Sequence, residues 1–386
     1  MSQTSETQLL EQQLIAFRHD LHRHPELSFE EVETTKKIKA ALEEKNIKIL
    51  NLPLKTGVVA EVSGKEDGPV IALRSDIDAL PIHEQSGVAF TSENDGVMHA
   101  CGHDFHTSTL LGTAYLLKDH EDQLKGTVRL IFQPGEESGH GAESVVKTGV
   151  LDDVKVIFGL HNDPTLKVGE IGSRHHALTA GVDRFEIHIN AKGAHAARPY
   201  EGKDPIVILA QVINVFQSIV SRNIASTENA VVSITQVHAG NTWNVIPASA
   251  FVEGTVRTFS KDVRAYIPER FRTILNGIAE TFESEIELKW FPGPPSVEND
   301  PEWTDFALDV AGKEGLTPKL LEPTSIGEDF AFYQESLIGA FVMVGSGGPY
   351  ALHHPKFRAD DHAIYPTSRY FESLAIEALK KLTASV

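Results

Sequence analysis

The order in which predicted strands and helices follow one another is the feature that most constrains this fold. Apolar runs predict buried strands at Val70–Leu73, Thr127–Phe132, Val154–Leu160 and Ala340–Val344. Helices are predicted at Glu6–Leu21, Thr34–Lys45, Phe105–Leu117 and Ser368–Leu382. Strands that alternate with helices in this way are typical of an α/β fold. We therefore expect a mixed, mostly parallel sheet covered by helices.

The middle of the chain follows a different order. It reads strand, helix, strand, strand, helix, strand over residues 182–191, 204–220, 231–237, 250–259, 262–282 and 286–291. This is the order of a ferredoxin-like α+β unit. Asp204 is the predicted N-cap of its first helix, with Pro205 at the first helical position. We expect a small domain, residues 177–292, inserted into a larger one formed by residues 1–176 and 293–386.

The net charge restricts the expected partners. Lys and Arg number 35 against 54 Asp and Glu, which gives a formal net charge of −19. Such a surface repels nucleic acids and anionic membranes, so neither is expected to bind. The sequence shows no signal peptide and no apolar run of about 20 residues. Because the single cysteine, Cys101, cannot form an intrachain disulfide, a cytoplasmic location is expected.

The only cysteine lies in a segment rich in metal-binding residue types. The segment His99–Asp104 contains Cys101 and His103 and lies between a predicted loop and a predicted helix. Thiolate and imidazole are both good ligands for zinc-like metals. A buried free cysteine near surface histidines would give the same pattern. This segment alone therefore leaves both interpretations open.

Further candidate ligands follow the ends of the predicted strands. Glu136 and Glu137 come shortly after the second strand, His161 directly follows the third, and His353 and His354 follow the last across a glycine-rich loop. Sites in α/β folds form at such strand ends. Paired acids and single histidines are common on surfaces, but their recurrence at several strand ends predicts a metal site. In such a site one carboxylate binds metal and the other acts as a general base.

Two aspartates follow the first predicted strand. Asp76 and Asp78 could bind metal, hold a ligand histidine by a hydrogen bond, or stabilise a turn. We favour the role of holding a ligand histidine.

Several motifs together resemble the metal-dependent aminoacylase and carboxypeptidase family. They are Asp76–Pro81, His99–Asp104, Glu136-Glu137, Gly193–Pro199 and Leu352-His353, and they run in family order over nearly the whole chain. The most similar branch comprises amidohydrolases that act on N-acyl amino acids, including auxin-conjugate and hippurate hydrolases. The resemblance implies that the inserted domain is a lid and dimerisation domain, and that the protein is a homodimer.

The resemblance also implies a site with two divalent metal ions per subunit. Cys101 stands where relatives have a bridging aspartate, so it would bridge both ions. His103 and His161 would complete the ligands of one ion, and Glu137 and His353 those of the other. Manganese or zinc is expected, with nickel and cobalt as alternatives.

Other residues acquire roles through the same resemblance. Glu136 would be the general base, and Asp78 would hold a ligand. His195, in the inserted domain, would stabilise the transition state in the site of a partner subunit. Asn244 and Arg257 match lid positions that bind a substrate carboxylate, which an arginine can pair bidentately. The alternatives are a solvated loop histidine and an arginine that faces solvent from a strand.

Three further assignments complete the sequence-based interpretation. The family pattern favours His353 over His354, because the ligand follows Leu352. The run Gly327–Phe330 matches a family motif, but no chemistry is assigned to it. The acidic tract Glu30–Glu33 is interpreted as a solvated face.

The resulting hypothesis is metal-dependent hydrolysis of the amide bond of N-acyl amino acids or small peptides, with Glu136 as general base for the attacking water. Two alternatives were weighed. Cys101 could be the nucleophile of an acyl transferase, or the chain could be a non-catalytic, metal-dependent binding protein. A complete ligand set beside an intact Glu136 argues for the hydrolase. The motifs do not define the acyl group or the amino acid.

Overall fold

The computed structural model describes residues 3–384, which divide into two compact units. The first unit comprises residues up to 178, residues 298–322 and residues from 329 onward. The second comprises residues 179–297 and 323–328. The sequence-based boundaries were 177 and 292. The short return of the chain to the second unit at residues 323–328 has no counterpart in that interpretation.

The strands of the first unit differ in length from two to ten residues. They are β1 (Lys48–Ile49), β2 (Val58–Ser63), β3 (Val70–Asp76), β4 (Thr127–Gln133), β5 (Val154–Asp163), β6 (Glu170–Ser173), β7 (His176–Ala177), and, after the second unit, β14 (Glu298–Asn299), β15 (Thr317–Leu320) and β16 (Gly339–Gly345). The second unit contains β8 (Gly181–Asn190), β9 (Ala194–His195), β10 (Ala230–Ala239), β11 (Val245–Ile246), β12 (Ser249–Thr258) and β13 (Glu285–Pro292).

Eight strands of the first unit form one mixed sheet in the order β1-β2-β4-β3-β5-β16-β6-β15. Its four central strands, β4, β3, β5 and β16, run parallel to one another. The pairs β1–β2, β2–β4 and β6–β16 are antiparallel. The predicted α/β fold with a mixed, mostly parallel sheet is confirmed. Strands β1, β2, β6 and β15 of this sheet were not predicted.

The helices of the first unit are α1 (Gln3–Arg23), α2 (Val32–Glu44), α3 (His103–Asp119), α4 (Gly141–Val146), α7 (Pro301–Lys313) and α8 (Ile364–Ala384). Helix α3 is the most deeply buried, since every residue from His103 to Leu117 is buried. It begins after Gly102, whose φ is +86°, and a Cβ there would lie 2.4 Å from Nδ2 of Asn162. Gly102 therefore permits the close approach that places His103 in the first turn of α3.

The parallel strands bring their carboxyl ends to the same edge of the sheet. Asp76 ends β3, Gln133 ends β4, and His161 lies near the end of β5. The start of α3 reaches this edge too, because Thr107 on its first turns donates a hydrogen bond to the carbonyl oxygen of Asp76 at 3.0 Å. The buried polar side chains of Asp76, Gln133 and His161 therefore lie at one edge of the sheet, where sites form in α/β folds.

The second unit is a four-stranded antiparallel sheet in the order β10-β12-β8-β13, with helices α5 (Pro205–Ser218) and α6 (Lys261–Phe282). Its core contains Phe185, Phe216 and Phe271. The predicted N-cap is confirmed, since Asp204 accepts a hydrogen bond from the N–H of Ile206 at 2.9 Å. The element order and strand order are those of a ferredoxin-like unit.

The expectation that the chain has no apolar run of about 20 residues is not met by the stretch Pro205–Asn223. By length and composition alone, this stretch could cross a membrane. Its Ile208, Val212 and Phe216 are buried in the core of the second unit. A helix that covers one side of a sheet gives the same compositional signal. We therefore interpret this stretch as a core helix.

Candidate metal centre

A thiol, three imidazoles and a carboxylate cluster at the carboxyl edge of the large sheet. Sγ of Cys101 lies 3.3 Å from Nε2 of His161 and 3.2 Å from Nε2 of His353. Oε1 of Glu137 lies 3.3 Å from Nε2 of His353 and 3.9 Å from Nε2 of His103. The structure thus brings together all five residues that the resemblance implies as metal ligands.

The cluster consists of two overlapping sets of ligand atoms. One set is Cys101, His103 and His161, and the other is Cys101, Glu137 and His353. Within each set the atoms lie within 4.8 Å of one another. Two sets that share one thiol suit a pair of metal ions bridged by a thiolate, because sulfur and nitrogen ligands are the usual donors for zinc-like ions.

His161 presents an available electron pair to the cluster. Its Nδ1 lies 2.7 Å from the carbonyl oxygen of Asn162, where it donates, so Nε2 carries the lone pair beside Cys101. Burial, together with the neighbouring His106 and His103, holds the pKa of His161 well below its usual value. The ring is therefore neutral, which is the form that binds metal.

His103 is oriented by Asp78. Nδ1 of His103 lies 3.1 Å from Oδ1 of Asp78, and its buried Nε2 makes no hydrogen bond. Oδ2 of Asp78 accepts hydrogen bonds from the N–H of Glu137 at 3.0 Å and from the hydroxyl of Ser28 at 2.6 Å. Burial alone would lower the pKa of His103, but the charges of Asp76, Asp78 and Glu137 raise it to about 10. The position of His103 therefore favours a positive charge.

The electrostatics of Cys101 also fit a bound cation. Burial, followed by the charges of Glu137, Glu136 and Asp76, raises the pKa of the Cys101 thiol well above its usual value. In addition, Oε1 of Glu137 is buried and lies 3.3 Å from Nε2 of His353. Buried anionic groups are costly unless they are paired with charge or coordinate metal. The donor set and the excess of negative charge therefore fit two divalent ions.

Glu136 lies at the border of the cluster. It follows β4 in a single turn of 3₁₀-helix, and its side chain is largely buried. Oε2 of Glu136 lies 4.0 Å from Nε2 of His103, and Oε1 accepts a hydrogen bond from the N–H of Asp329 at 3.4 Å. A carboxylate held beside the candidate ligands in this way is placed to accept a proton there.

The adjacent histidines His353 and His354 make different contacts. The backbone at His353 has a φ of +62°, and its N–H donates to the carbonyl oxygen of Ala100 at 2.8 Å, which anchors it beside the cluster. His354 stacks on Tyr350 with ring centroids 4.8 Å apart, and its Nδ1 accepts from the N–H of Lys356 at 3.0 Å. Only His353 of this pair lies in the cluster.

Asp76 does not join the ligand sets that contain Cys101. Its Oδ1 lies 2.5 Å from Nδ1 of His106, and its Oδ2 accepts from Nη1 of Arg74 at 2.8 Å. Nε2 of His106 in turn accepts from the N–H of Asn162 at 2.8 Å. Sequence reasoning missed Arg74 and His106 as site residues. The available signals were a charge inside an apolar strand and a third histidine beside the cysteine.

The interpretation of the tract Glu30–Glu33 as a solvated face is wrong for Glu31. Glu31 is completely buried, whereas Glu30 and Glu33 are exposed. Its Oε1 accepts from the N–H of Gly135 at 2.8 Å, and its Oε2 from the hydroxyl of Thr56 at 2.7 Å. Gly135 directly precedes Glu136, so Glu31 braces the turn that carries the two carboxylates.

The remaining predicted residues lie in the second unit. His195 is exposed on β9, which pairs with β11 so that His195 is opposite Val245. The N–H of Ala196 donates to the carbonyl oxygen of Asn244 at 3.1 Å, which makes Asn244 a neighbour of His195. Arg257 is half-buried on β12, and burial lowers its pKa. Their roles toward a substrate stay predictions.

The family model described as peptidase family M20/M25/M40 matches residues 72–377. The chain belongs to this family. Its M20 membership confirms the resemblance drawn from the motifs.

Curated relatives and a solved structure extend this M20 assignment over nearly the whole chain. An N-acetylcysteine deacetylase of Bacillus subtilis is 54% identical over 370 residues, covering 96% of this chain and 97% of the relative. An IAA-amino acid hydrolase of Arabidopsis thaliana, ILR1-like 5, is 36% identical over 96% of this chain and 88% of its own length. The crystal structure of the Bacillus subtilis YXEP protein, described as a dinuclear metal-binding peptidase, matches with a TM-score of 0.88 and 49% identity over 97% of this chain and 99% of that one.

These similarities give the class of enzyme. The chain is a hydrolase of peptidase family M20, and its relatives are named as a deacetylase, an amino acid hydrolase and a dinuclear metal-binding peptidase. The metal identity, the oligomeric state and the role of each side chain are separate questions.

Proposed function

We propose that this M20 enzyme removes the acyl group from N-acyl amino acids, with N-acetylcysteine as the first substrate to test. The observation that carries the proposal is the cluster of five ligand residues with Glu136 at its border. The choice of substrate is supported by the relative named N-acetylcysteine deacetylase, at 54% identity over 96% of this chain. Other N-acyl amino acids and small peptides are the alternative substrates.

The two metal ions are assigned to the two overlapping ligand sets. Cys101 would be the ligand shared by both ions, His103 and His161 would hold one ion, and Glu137 and His353 would hold the other. When bound, two such ions lower the pKa of a water molecule and polarise the scissile carbonyl. Zinc is proposed because thiolate and imidazole suit it, and manganese because a carboxylate also takes part. Nickel and cobalt remain alternatives.

Glu136 is the proposed general base. It accepts the proton of the attacking water and later delivers it to the leaving amine, so one carboxylate serves both proton transfers. This role is supported by its position 4.0 Å from Nε2 of His103 and by its largely buried side chain. Asp78 keeps His103 in the orientation in which Nε2 faces the cluster, a role supported by its contact with Nδ1.

Residues of the second unit are assigned to substrate recognition. His195 donates a hydrogen bond to the oxyanion of the tetrahedral intermediate in the site of a partner subunit. Asn244 and Arg257 bind the carboxylate of the amino-acid product. Support for this comes from the exposure of His195 and from its pairing with the strand that follows Asn244. A guanidinium suits a carboxylate because it can pair with both oxygens.

The enzyme is proposed to be a cytoplasmic homodimer that associates through the second unit. Helix α5 and the edge strand β10 of this unit carry exposed apolar side chains: Ile206 by 46%, Val207 by 48%, Val231 by 42% and Val237 by 46%. An edge strand and helix with exposed apolar side chains can associate with another chain, which supports the proposal.

The two alternatives have less support. A cysteine nucleophile would leave the carboxylate of Glu137 and the imidazole of His103 without a role beside the thiol, whereas a metal centre uses both. A non-catalytic binding protein would have no need for Glu136 beside a complete ligand set. Hydrolysis is therefore the function that the geometry supports best.

The test is the variant Glu136→Gln in metal-reconstituted protein, assayed on N-acetylcysteine, N-benzoylglycine and a dipeptide. We expect kcat to fall by about 10²- to 10⁴-fold while two ions per chain remain bound. Glu143→Gln, which removes a surface carboxylate paired with His140, is the control and should keep wild-type turnover. Near-wild-type turnover of the Glu136 variant with both ions bound would contradict the general-base role of Glu136.

A further inference from the structure

Arg74 is a completely buried arginine whose donors are engaged by three side chains. It lies on β3, and its Nε donates to Oε1 of Gln133 at 2.8 Å. Its Nη1 donates to Asp76 at 2.8 Å, and its Nη2 donates to Asp329 at 2.9 Å. Its side-chain exposure is 0%, as is that of both aspartates. Ion pairs this deeply buried persist only where their hydrogen bonds are well satisfied.

Asp329 is a member of this network whose backbone contacts the proposed base. It comes from the motif Gly327–Phe330, to which the sequence assigned no chemistry. Its Oδ1 accepts from Arg74 and from Nε2 of Gln133 at 2.8 Å. Its Oδ2 accepts from the same Nε2 at 3.0 Å and from the N–H of Ala142 at 2.8 Å. Every one of these partners is a donor, so the position requires a carboxylate.

The backbone of Asp329 then contacts Glu136. The N–H of Asp329 donates to Oε1 of Glu136 at 3.4 Å. The side chain of Asp329 is fixed from β3 by Arg74, from β4 by Gln133 and from the start of α4 by Ala142. Its own N–H is therefore held in place relative to the sheet edge that carries the metal ligands.

We propose that Asp329 is a positioning residue for Glu136, anchored by Arg74 and Gln133. Its N–H holds one oxygen of Glu136, which leaves the other oxygen directed toward the side of His103. The inference rests on the proposed function, because it presumes that Glu136 is the general base. It assigns a purpose to the buried arginine and to the aspartate of the Gly327–Phe330 motif.

The test changes a hydrogen-bond acceptor into a donor at position 329 and a donor into an acceptor at position 133. Asp329→Asn keeps the shape of the side chain but turns an amide donor toward Ala142 or Arg74, which are themselves donors. Gln133→Glu does the reverse and places a second carboxylate against Asp329. Combined, the two substitutions restore a donor facing an acceptor between positions 133 and 329. The readouts are kcat and KM on N-acetylcysteine, metal content per chain, and the midpoint of thermal unfolding.

We expect each single variant to lose about 10- to 100-fold in kcat, because small displacements of a catalytic group are costly. KM should change by no more than about twofold, and two ions per chain should remain bound. The double variant should recover at least several-fold in kcat over Asp329→Asn. If Asp329→Asn does not fold, Gln133→Glu and the double variant still measure the same contact.

Asp183→Asn is the matched control. Asp183 is another buried aspartate paired with an arginine, here Arg264 at 2.8 Å, in the second unit. It should lower the unfolding midpoint and leave kcat within about twofold of wild type. An equal loss of kcat in this control would show that the effect is merely one of stability and would overturn the proposal.

The remaining outcomes separate the proposal from the function on which it rests. A folded Asp329→Asn enzyme with wild-type kcat overturns the positioning role, even if Glu136→Gln is inactive. A loss of kcat that is matched by loss of metal, or a double variant no better than either single one, overturns it too. If Glu136→Gln itself keeps turnover, the general-base assignment fails first and the positioning role fails with it.

Discussion

Cys101 is the residue on which both ligand sets depend, and it has two interpretations that differ in chemistry. As a bridging ligand it contributes a negative charge between two ions, and another short anionic side chain can do the same. As a nucleophile it contributes a sulfur atom that no carboxylate of this kind replaces. The two interpretations therefore differ in what a substitution at this position does.

The substitution Cys101→Asp should retain two bound ions and measurable turnover, within about 100-fold of wild type. Cys101→Ala, the matched loss of the side-chain ligand, should bind fewer ions and lose turnover by a larger factor. Metal analysis and steady-state kinetics on the two proteins check this. Equal inactivity of both variants, with both ions still bound, would favour the nucleophile.

A second residue-scale prediction concerns pH and His22. Its Nδ1 lies 2.8 Å from Asp104 and its Nε2 3.1 Å from Glu84. Burial alone would lower the pKa of His22, but the charge of Asp104 and these hydrogen bonds raise it to about 9. Because this folded-state pKa lies above the unfolded value of about 6.5, protonated His22 stabilises the fold fully below about pH 6.5. The contribution is lost as the pH rises through about 9.

Wild type should therefore exceed His22→Gln in thermal unfolding midpoint by the most near pH 6, with the difference shrinking toward pH 10. The expected contribution at pH 6 is on the order of 1 to 3 kcal/mol. His83→Gln, which removes an exposed histidine paired with Asp95, is the control and should show no such trend. A difference that stays constant over this pH range contradicts the assignment.

Individual residues differed in how well the sequence predicted them. The ligand types were recognisable because they follow strand ends and match family motifs. Glu31 was misread because its burial depends on the N–H of Gly135, which is 104 positions away along the chain. In the structure, a backbone φ of +62° at His353 distinguishes it from His354 as the residue of the cluster. The sequence does not predict this conformation, because residues other than glycine adopt it only rarely.

At the scale of elements, the segment between α1 and α2 supports the turn after β4 from two sides. Glu31 accepts a hydrogen bond from Gly135, while Ser28 donates to Asp78, which in turn accepts from the N–H of Glu137. Phe29 adopts a φ of +61°, an uncommon conformation for an aromatic residue, and its ring packs against Gly135. The position of the paired carboxylates thus depends on an element distant in sequence.

Glu31→Ala should lower both stability and activity, because it leaves the N–H of Gly135 and the hydroxyl of Thr56 buried without an acceptor. The expected cost is about 1 to 3 kcal/mol for each unsatisfied group. Chemical denaturation and kcat on N-acetylcysteine measure the two effects. Glu33→Ala, which removes an exposed glutamate of the same tract, should change neither. Equal effects of both variants would contradict the bracing role.

The long elements were the ones that the sequence predicted best. Helix α3 and strands β3, β4, β5 and β16 were expected within a few residues, because their apolar runs are long and buried. Strands β6 and β15 have four residues each, and β15 is exposed throughout, so neither produces an apolar run. Local pattern therefore predicted the four parallel strands at the centre of the sheet. It missed the short edge strands and also β2, although β2 is mostly buried.

At the scale of the whole molecule, the proposed dimer predicts a particle of about twice 42.3 kDa in analytical ultracentrifugation. Val231→Glu places a charge at an exposed apolar position of the edge strand β10 and should shift the particle toward the monomer. Leu320→Glu is the matched control, since Leu320 is exposed by 77% on β15 of the first unit. A wild-type monomer, or dissociation caused only by the control, contradicts association through the second unit.

The most direct test of the account is to titrate metal-free protein with zinc or manganese while measuring release of free amine from N-acetylcysteine. We expect no turnover without metal, and we expect the activity to rise with added metal to a plateau at two ions per chain. Exhaustive chelation should remove both ions and abolish activity, and adding the metal back should restore both the ions and the activity. Full turnover by protein that is shown to be free of metal would contradict the dinuclear centre around Cys101.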